Sequence, residues 1–261
     1  NNALDANTTG IENTAIGHYS LDANTTGNYN VGLGHLSLSA NTDGERNTAV
    51  GQSSLRRNTT GDYNTCIGQG ALAYNTTANY NTGLGYGALL ANTTGQWNTA
   101  VGSKALDNNT DGQTNSCLGY QALTANTGGD DNVAVGHEAM QSNTTGGGNI
   151  AIGRDALQSN TTANQNVAVG YLCMEDNTTG TRNVAVGAYS LSNNTTNNDN
   201  TAVGYSAMNT CNGGYDCAAF GRNALASMTS GSANTALGVQ ASNNLTTGVN
   251  NTMVGMYSGL A

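Results

Sequence analysis

The chain has no proline, one phenylalanine and one tryptophan among its 261 residues, and only 9 % of them are charged. Ordinary soluble domains carry about a quarter charged residues and a bulky mixed interior, so a deep core of large side chains is excluded. No apolar run approaches the roughly 18 residues of a membrane-spanning helix, and the seven basic residues form no run that would track a nucleic-acid backbone. No CxxC pair or Cys/His spacing offers a zinc site, and no motif implies a cofactor. What remains is narrow in composition: 41 Asn, 36 Thr and 36 Gly, with 16 scattered acidic residues giving a net charge of −9.

Those residues obey a period of 17. Asn13, Asn30, Asn47, Asn64, Asn81, Asn98, Asn115, Asn132, Asn149, Asn166, Asn183, Asn200, Asn234 and Asn251 recur at that spacing, with Cys217 in the one remaining place. Counting slots from this Asn, the consensus is N-T-A-V-G-Y-x-A-L-x-x-N-T-T-G-x-x, and slot 5 is Gly in all fifteen copies. A short unbroken period of this kind predicts an all-β parallel β-solenoid (β-roll) of about fifteen coils, each unable to bury its own apolar face alone. The expected organisation is one elongated domain over 1–261, with a partial coil at 1–12 and coils starting at 13 and every 17 residues to 251, cut from a longer array. Helices are excluded by length, because Gly and Asn-Thr-Thr-Gly return before three turns can form.

Within the repeat, slots 2 and 4 carry β-branched or apolar residues, as in Thr48 and Val50. Their spacing predicts a short strand with both side chains inward. Slot 9, Leu or Met, supplies a second inward anchor. Slots 12 to 15, N-T-T-G, read as a turn in which the slot 15 Gly takes a positive φ. Slot 3 holds ten Ala, two Gly, Cys66, Cys117 and Met253 and no polar residue. Alternation aims it outward, so another copy of the chain is expected to pack on it, making a homo-oligomer, most simply a trimer.

Stacking brings Asn over Asn in two ladders, at slots 1 and 12, and buried amides of this kind can bond to one another and to turn carbonyls. Slot 12 has a second reading, because Asn-Thr-Thr is an N-glycosylation sequon at Asn7, Asn24, Asn58, Asn75, Asn92, Asn143, Asn160, Asn177 and Asn194. Cys211 and Cys217 occupy the two ladder slots six residues apart and are candidates for a disulfide. Otherwise buried free thiols are expected.

The strand core, as in Asn132-Val133-Ala134-Val135-Gly136 and Asn183-Val184-Ala185-Val186-Gly187, resembles the S-V-A-I-G repeat of trimeric autotransporter adhesin heads. The full consensus is similar to repeats in phage and viral tail-fibre-like proteins. This resemblance covers almost the whole chain and implies a left-handed β-roll assembled as a trimer. The adhesin coil is shorter, and the extra residues here lie in the second half, with the N-T-T-G turn.

The function expected is therefore a non-catalytic structural or adhesive fibre segment, extracellular on a cell surface, secreted filament or virion. Its partners would be further copies of itself, with surface carbohydrate or a receptor met by outward aromatics such as Tyr19, Tyr29, Tyr63, Tyr80, Trp97, Tyr189 and Tyr205. An ice-binding solenoid, resting on the Thr row at slot 13, is the first alternative; a glycosylated single-chain surface filament is the second. No enzyme is expected, because His18, His35 and His137 share the variable slot 6 and no carboxylate pair interrupts the repeat.

Overall fold

The structure, a computed structural model, describes residues 2–259. It is a parallel β-solenoid in which each repeat contributes one three-residue strand, fifteen in all among the described residues, with no helix. The chain divides into two compact units, the first ending at Asp131 and the second beginning at Asn132. In the first unit seven strands, Thr14–Ile16 to Ser116–Leu118, pair in chain order; Thr48 lies beside Thr65, Ala49 beside Cys66 and Val50 beside Ile67. The second unit repeats the arrangement with eight strands, Val133–Val135 to Thr252–Val254, and Val167 lies beside Val184. The register offset equals the sequence period, so equal slots stack in rows.

The pleat faces the opposite way from the expectation. The slot 3 residues Ala49, Cys66, Ala100, Ala134 and Ala151 are wholly buried, whereas slots 2 and 4 point outward, leaving Ile16 61 % and Leu118 51 % exposed. Space is the reason. The opposite wall of the coil sends slot 8 and slot 9 side chains into the interior, and a Cβ added at Gly83 would lie 2.5 Å from the Leu72 Cδ1 atom. Slot 3 has room for a methyl or a thiol and little more. The alternation was legible, but a shift of one residue in its phase exchanges the two faces, so the smallness of slot 3 reports the coil's own interior and not a neighbouring copy.

Slot 9 anchors that interior. Leu21, Leu38, Leu72 and Leu106 are fully buried, with φ between 49° and 53°. A left-handed backbone penalises branching at Cβ, which accounts for Leu and Met, and never Val or Ile, at this core position. Slots 7 and 17 share that conformation, and Thr114 is the one β-branched residue with positive φ among the described residues. The slot 15 Gly does not have the positive φ expected of it; the left-handed step falls two residues later, at slot 17. Glycine is required instead at slot 5, where φ is 119–145° and a Cβ on Gly51 would sit 2.7 Å from the Gly68 carbonyl.

Candidate functional site

The two Asn ladders form as the sequence suggests. In slot 12 each side-chain amide donates twice: Asn58 Nδ2 reaches Asn41 Oδ1 at 2.9 Å and the Gly61 carbonyl of its own turn at 2.8 Å. In slot 1 the division of labour differs. Asn30 Oδ1 accepts the backbone N–H of Asn47 at 3.0 Å, while Asn47 Nδ2 reaches the same Gly61 carbonyl at 2.8 Å. One turn carbonyl therefore takes a donor from each ladder. Buried amides would each cost a few kcal/mol if left unpaired, and through Asn194 successive coils pair them with one another.

This geometry decides where the proposed acceptor residues lie. Asn24, Asn58, Asn75, Asn92, Asn143, Asn160, Asn177 and Asn194 are fully buried, and Asn7 is half-buried at the first described coil. The Nδ2 atom that a glycan would modify already donates into the ladder, as Asn75 does to Asn58 Oδ1 at 2.9 Å and to the Ala78 carbonyl at 3.0 Å. A sugar on these atoms requires the coil to be open when it is attached. The pairing weighed for Cys211 and Cys217 is not made: both are free, as are Cys66, Cys117 and Cys173. Cys217 Sγ donates instead to the Gly231 carbonyl at 3.5 Å, taking the place of the ladder amide. Burial pushes the thiols of Cys173 and Cys211 up, to about 12 and about 11, so they are poor nucleophiles and poor metal ligands at neutral pH.

The outward slots carry the chemistry available to partners. Slots 2 and 4 line one outward sheet face in each unit; in the second this includes Val133 and Val135, Ile150 and Ile152, and Val184 and Val186, with Val186, Phe220 and Leu237 exposed. Slot 17 carries a column of stacked planar groups in the first unit. The Arg46 guanidinium lies 5.1 Å from the Tyr29 ring and 5.3 Å from the Tyr63 ring, Tyr63 stacks on Tyr80 at 4.9 Å, and Tyr80 on Trp97 at 6.5 Å. Tyr189 packs edge-on against Tyr171 and Tyr205. Tyr19 lies against His18, which stacks on His35 at 5.5 Å.

One grouping escaped the sequence reading. His137 Nδ1 lies 3.8 Å from Glu138 Oε2 and 3.9 Å from Asp155 Oδ1, a set able to offer three ligand atoms to a cation. Its signal was an acid at slot 7 in two successive repeats beside a slot 6 His. Arg154 already occupies the other Asp155 oxygen at 3.0 Å and supplies positive charge there. The slot 13 threonines are engaged internally: Thr59 Oγ1 donates to the Thr76 carbonyl at 3.1 Å, and the row repeats this bond. No helix among the described residues is long and apolar enough to cross a membrane.

Comparison with protein-family models and with curated proteins gives no match. The coil satisfies its interior within itself, and its most regular exterior feature is a sheet face in which an apolar slot 4 row runs beside a slot 2 row of Thr, Val and Ile.

Proposed function

We propose that the protein is a non-catalytic structural fibre segment that associates with further copies of itself through the outward sheet face, in an extracellular filament, cell-surface or virion fibre. The observation that carries this is the exposure of slots 2 and 4. A continuous outward row of Val, Ile and Leu at slot 4, beside Thr and Val at slot 2, is unusual for a solitary chain, whose apolar patches rarely exceed a few hundred Å². A three-residue strand covers roughly 50 Å² at ordinary strand dimensions, so the seven or eight strands of each unit present about 350 to 400 Å², the size of patch that often marks an interaction site. A second copy has the same spacing of about 4.8 Å between strands, so side chains from two faces can interdigitate coil after coil. The resemblance to adhesin-head repeats makes three copies the simplest closed assembly.

Native mass measurement tests this, with Val135→Lys/Val169→Lys as the variant. The expected result is a wild-type mass of three chains and a variant that falls to the 26.5 kDa of one. A wild-type protein that is monomeric at micromolar concentration, or a monomer with hexose-sized increments, overturns the reading and favours a sugar-coated single-chain filament.

The same face supports a second reading. Eight of the fifteen slot 2 residues are Thr, among them Thr48, Thr65, Thr82 and Thr99 in consecutive coils. Paired with slot 4 they give two parallel outward rows on one sheet face, the feature an ice-binding solenoid needs and one that slot 13 does not provide. An ice-binding face must stay uncovered, so the two readings exclude each other. Thermal hysteresis by the wild-type chain, abolished by Thr82→Lys, would establish ice binding; its absence at millimolar protein would leave self-association.

A further inference from the structure

One hollow in the first unit is not demanded by the coil. Slot 7 holds a side chain in most repeats at a left-handed φ, including Leu36 at 59°, Lys104 at 57° and Tyr189 at 59°, but it is Gly at 70 and 87. Neither glycine is forced. A Cβ at Gly87 would meet nothing closer than Asp107 Oδ1 at 3.8 Å, and one at Gly70 would touch only Leu90 Cδ1 at 3.4 Å. These are ordinary contacts, in contrast to the clashes at slot 5. The two adjacent vacancies open a cleft of about 370 Å³ between the slot 7 and slot 10 rows, within the range of ligand-sized sites, about 300 to 1,000 Å³.

The lining is distinctive in charge. Arg56, Arg57 and Lys104 border the cleft, three of only seven basic residues in a chain of net charge −9. Tyr74 and Tyr86 add two half-exposed rings, and the Arg57 guanidinium lies 4.4 Å over the Tyr74 ring, which holds it in place. Asp107 closes one end. Its Oδ1 is buried without a hydrogen-bond partner, an unmet acceptor at the cleft wall.

We propose that this cleft binds an acidic saccharide of the uronate type. The ring carboxylate would lie against the Arg56, Arg57 and Lys104 group, where guanidinium forks match a carboxylate. The C–H face of the sugar would stack on an exposed tyrosine, and one hydroxyl would donate to Asp107 Oδ1. Three cations against the one carboxylate of Asp107 match the two carboxylates of a uronate disaccharide, and the tyrosine faces give the sugar ring a surface that a phosphate or sulfate cannot use. The proposal is independent of whether the sheet face self-associates, since the cleft lies on slots 6, 7, 10 and 11 and the face on slots 2 and 4.

Calorimetric titration with digalacturonate, its neutral digalactose counterpart and inorganic sulfate tests it. The expected result is digalacturonate binding with a dissociation constant on the order of 1 mM or tighter, weakening as salt rises from low ionic strength, with the neutral sugar and sulfate at least tenfold weaker. Gly87→Leu should lose binding at least tenfold with an unchanged thermal midpoint, because Leu36 and Leu172 occupy the same slot at φ of 59° and 51° or thereabouts in native coils of this chain. Arg57→Gln should reproduce that loss without filling the cleft. Equal affinity for the neutral sugar, equal affinity for sulfate, full binding by Gly87→Leu, or no heat with millimolar digalacturonate each overturns the proposal.

Discussion

Two stretches of the second unit build the same coil from different interiors. Through Asn143, Asn160, Asn177 and Asn194 the slot 12 ladder is intact, and the Gly180 carbonyl accepts Asn177 Nδ2 at 3.0 Å and Asn166 Nδ2 at 2.8 Å. In the next three repeats slot 12 is Cys211, Met228 and Leu245, and slot 1 is once Cys217. There the Gly248 carbonyl receives one side-chain donor, Asn234 Nδ2 at 2.6 Å, and Met228 Sδ sits 3.7 Å from that same nitrogen. The backbone is indifferent to the change: Thr201 N–H to the Cys217 carbonyl and Thr235 N–H to the Asn251 carbonyl are both 2.8 Å. The difference separates two jobs. Glycine at slot 5 and the strand register specify the coil, while the amides satisfy a carbonyl that tolerates one donor in place of two. Buried Met228 and Cys211 replace the missing bonds with apolar burial.

Opening the intact ladder is expected to cost most. Asn177→Met leaves Asn160 Oδ1 without its donor and one N–H of Asn194 Nδ2 without its acceptor, the other keeping the Asn197 carbonyl at 3.2 Å, and these two losses in the interior amount to about 3 kcal/mol. Asn194→Met, beside the sulfur-bearing stretch, strands Asn177 Oδ1 in the interior and frees Asn197 Nδ2 in a half-buried turn that water can reach, and should cost about half as much. Urea unfolding of both variants measures the contrast. Equal losses would show that each amide acts alone and that the ladder has no ends.

The solenoid, its period and its paired Asn ladders were legible because stacking converts a sequence offset directly into spatial neighbours. Which face of the strand turns inward was not. Val and Ile at slot 4 suggest a core by type, and only the volume left by Leu72 and its slot 9 equivalents shows that the interior admits an alanine. The slot 15 turn failed for a related reason: Gly, Asn and Thr all favour turns, and composition does not say which residue takes the left-handed step. The cleft beside Gly70 and Gly87 could have been found as two consecutive glycines in a slot otherwise filled by side chains. That signal is an exception within one row, and it is visible only once the rows are laid side by side.

An intermediate effect is expected from the thiols, two of which, Cys211 and Cys217, lie at the change of interior. Burial raises Cys211 to about 11 and Cys173 to about 12 from the ordinary 9.0, so the folded chain keeps protons that the unfolded chain releases. Stability is then complete below pH 9.0 and is lost as pH rises beyond it. The thermal midpoint should fall by about 5 °C or more between pH 8 and pH 10, and Cys211→Ala/Cys217→Ala should remove part of that fall. Iodoacetamide at pH 8 should label none of the five thiols in the folded chain. Rapid labelling of Cys211 would mean that the stretch without slot 12 amides opens locally, and that the second donor on each carbonyl contributes rigidity.

The smallest effect is expected outside the coil, at the bidentate pair in which Arg182 Nε and a terminal guanidinium nitrogen donate to Asp199 at 2.7 and 2.8 Å. The Arg182 hydrogen bond holds the Asp199 carboxyl below the usual range. Its contribution is therefore present above the ordinary carboxylate value of 3.8 and lost as pH falls through the depressed one. Both side chains are solvated, and exposed pairs of this kind contribute little. Arg182→Gln, in a slot where Gln165 already takes φ of 60°, should leave the urea midpoint at pH 7 unchanged within error. A shift as large as that of Asn194→Met would move the explanation outward: the intact stretch would then be held by contacts along its surface rows, and the contrast between amide and sulfur interiors would no longer account for the difference between the two stretches.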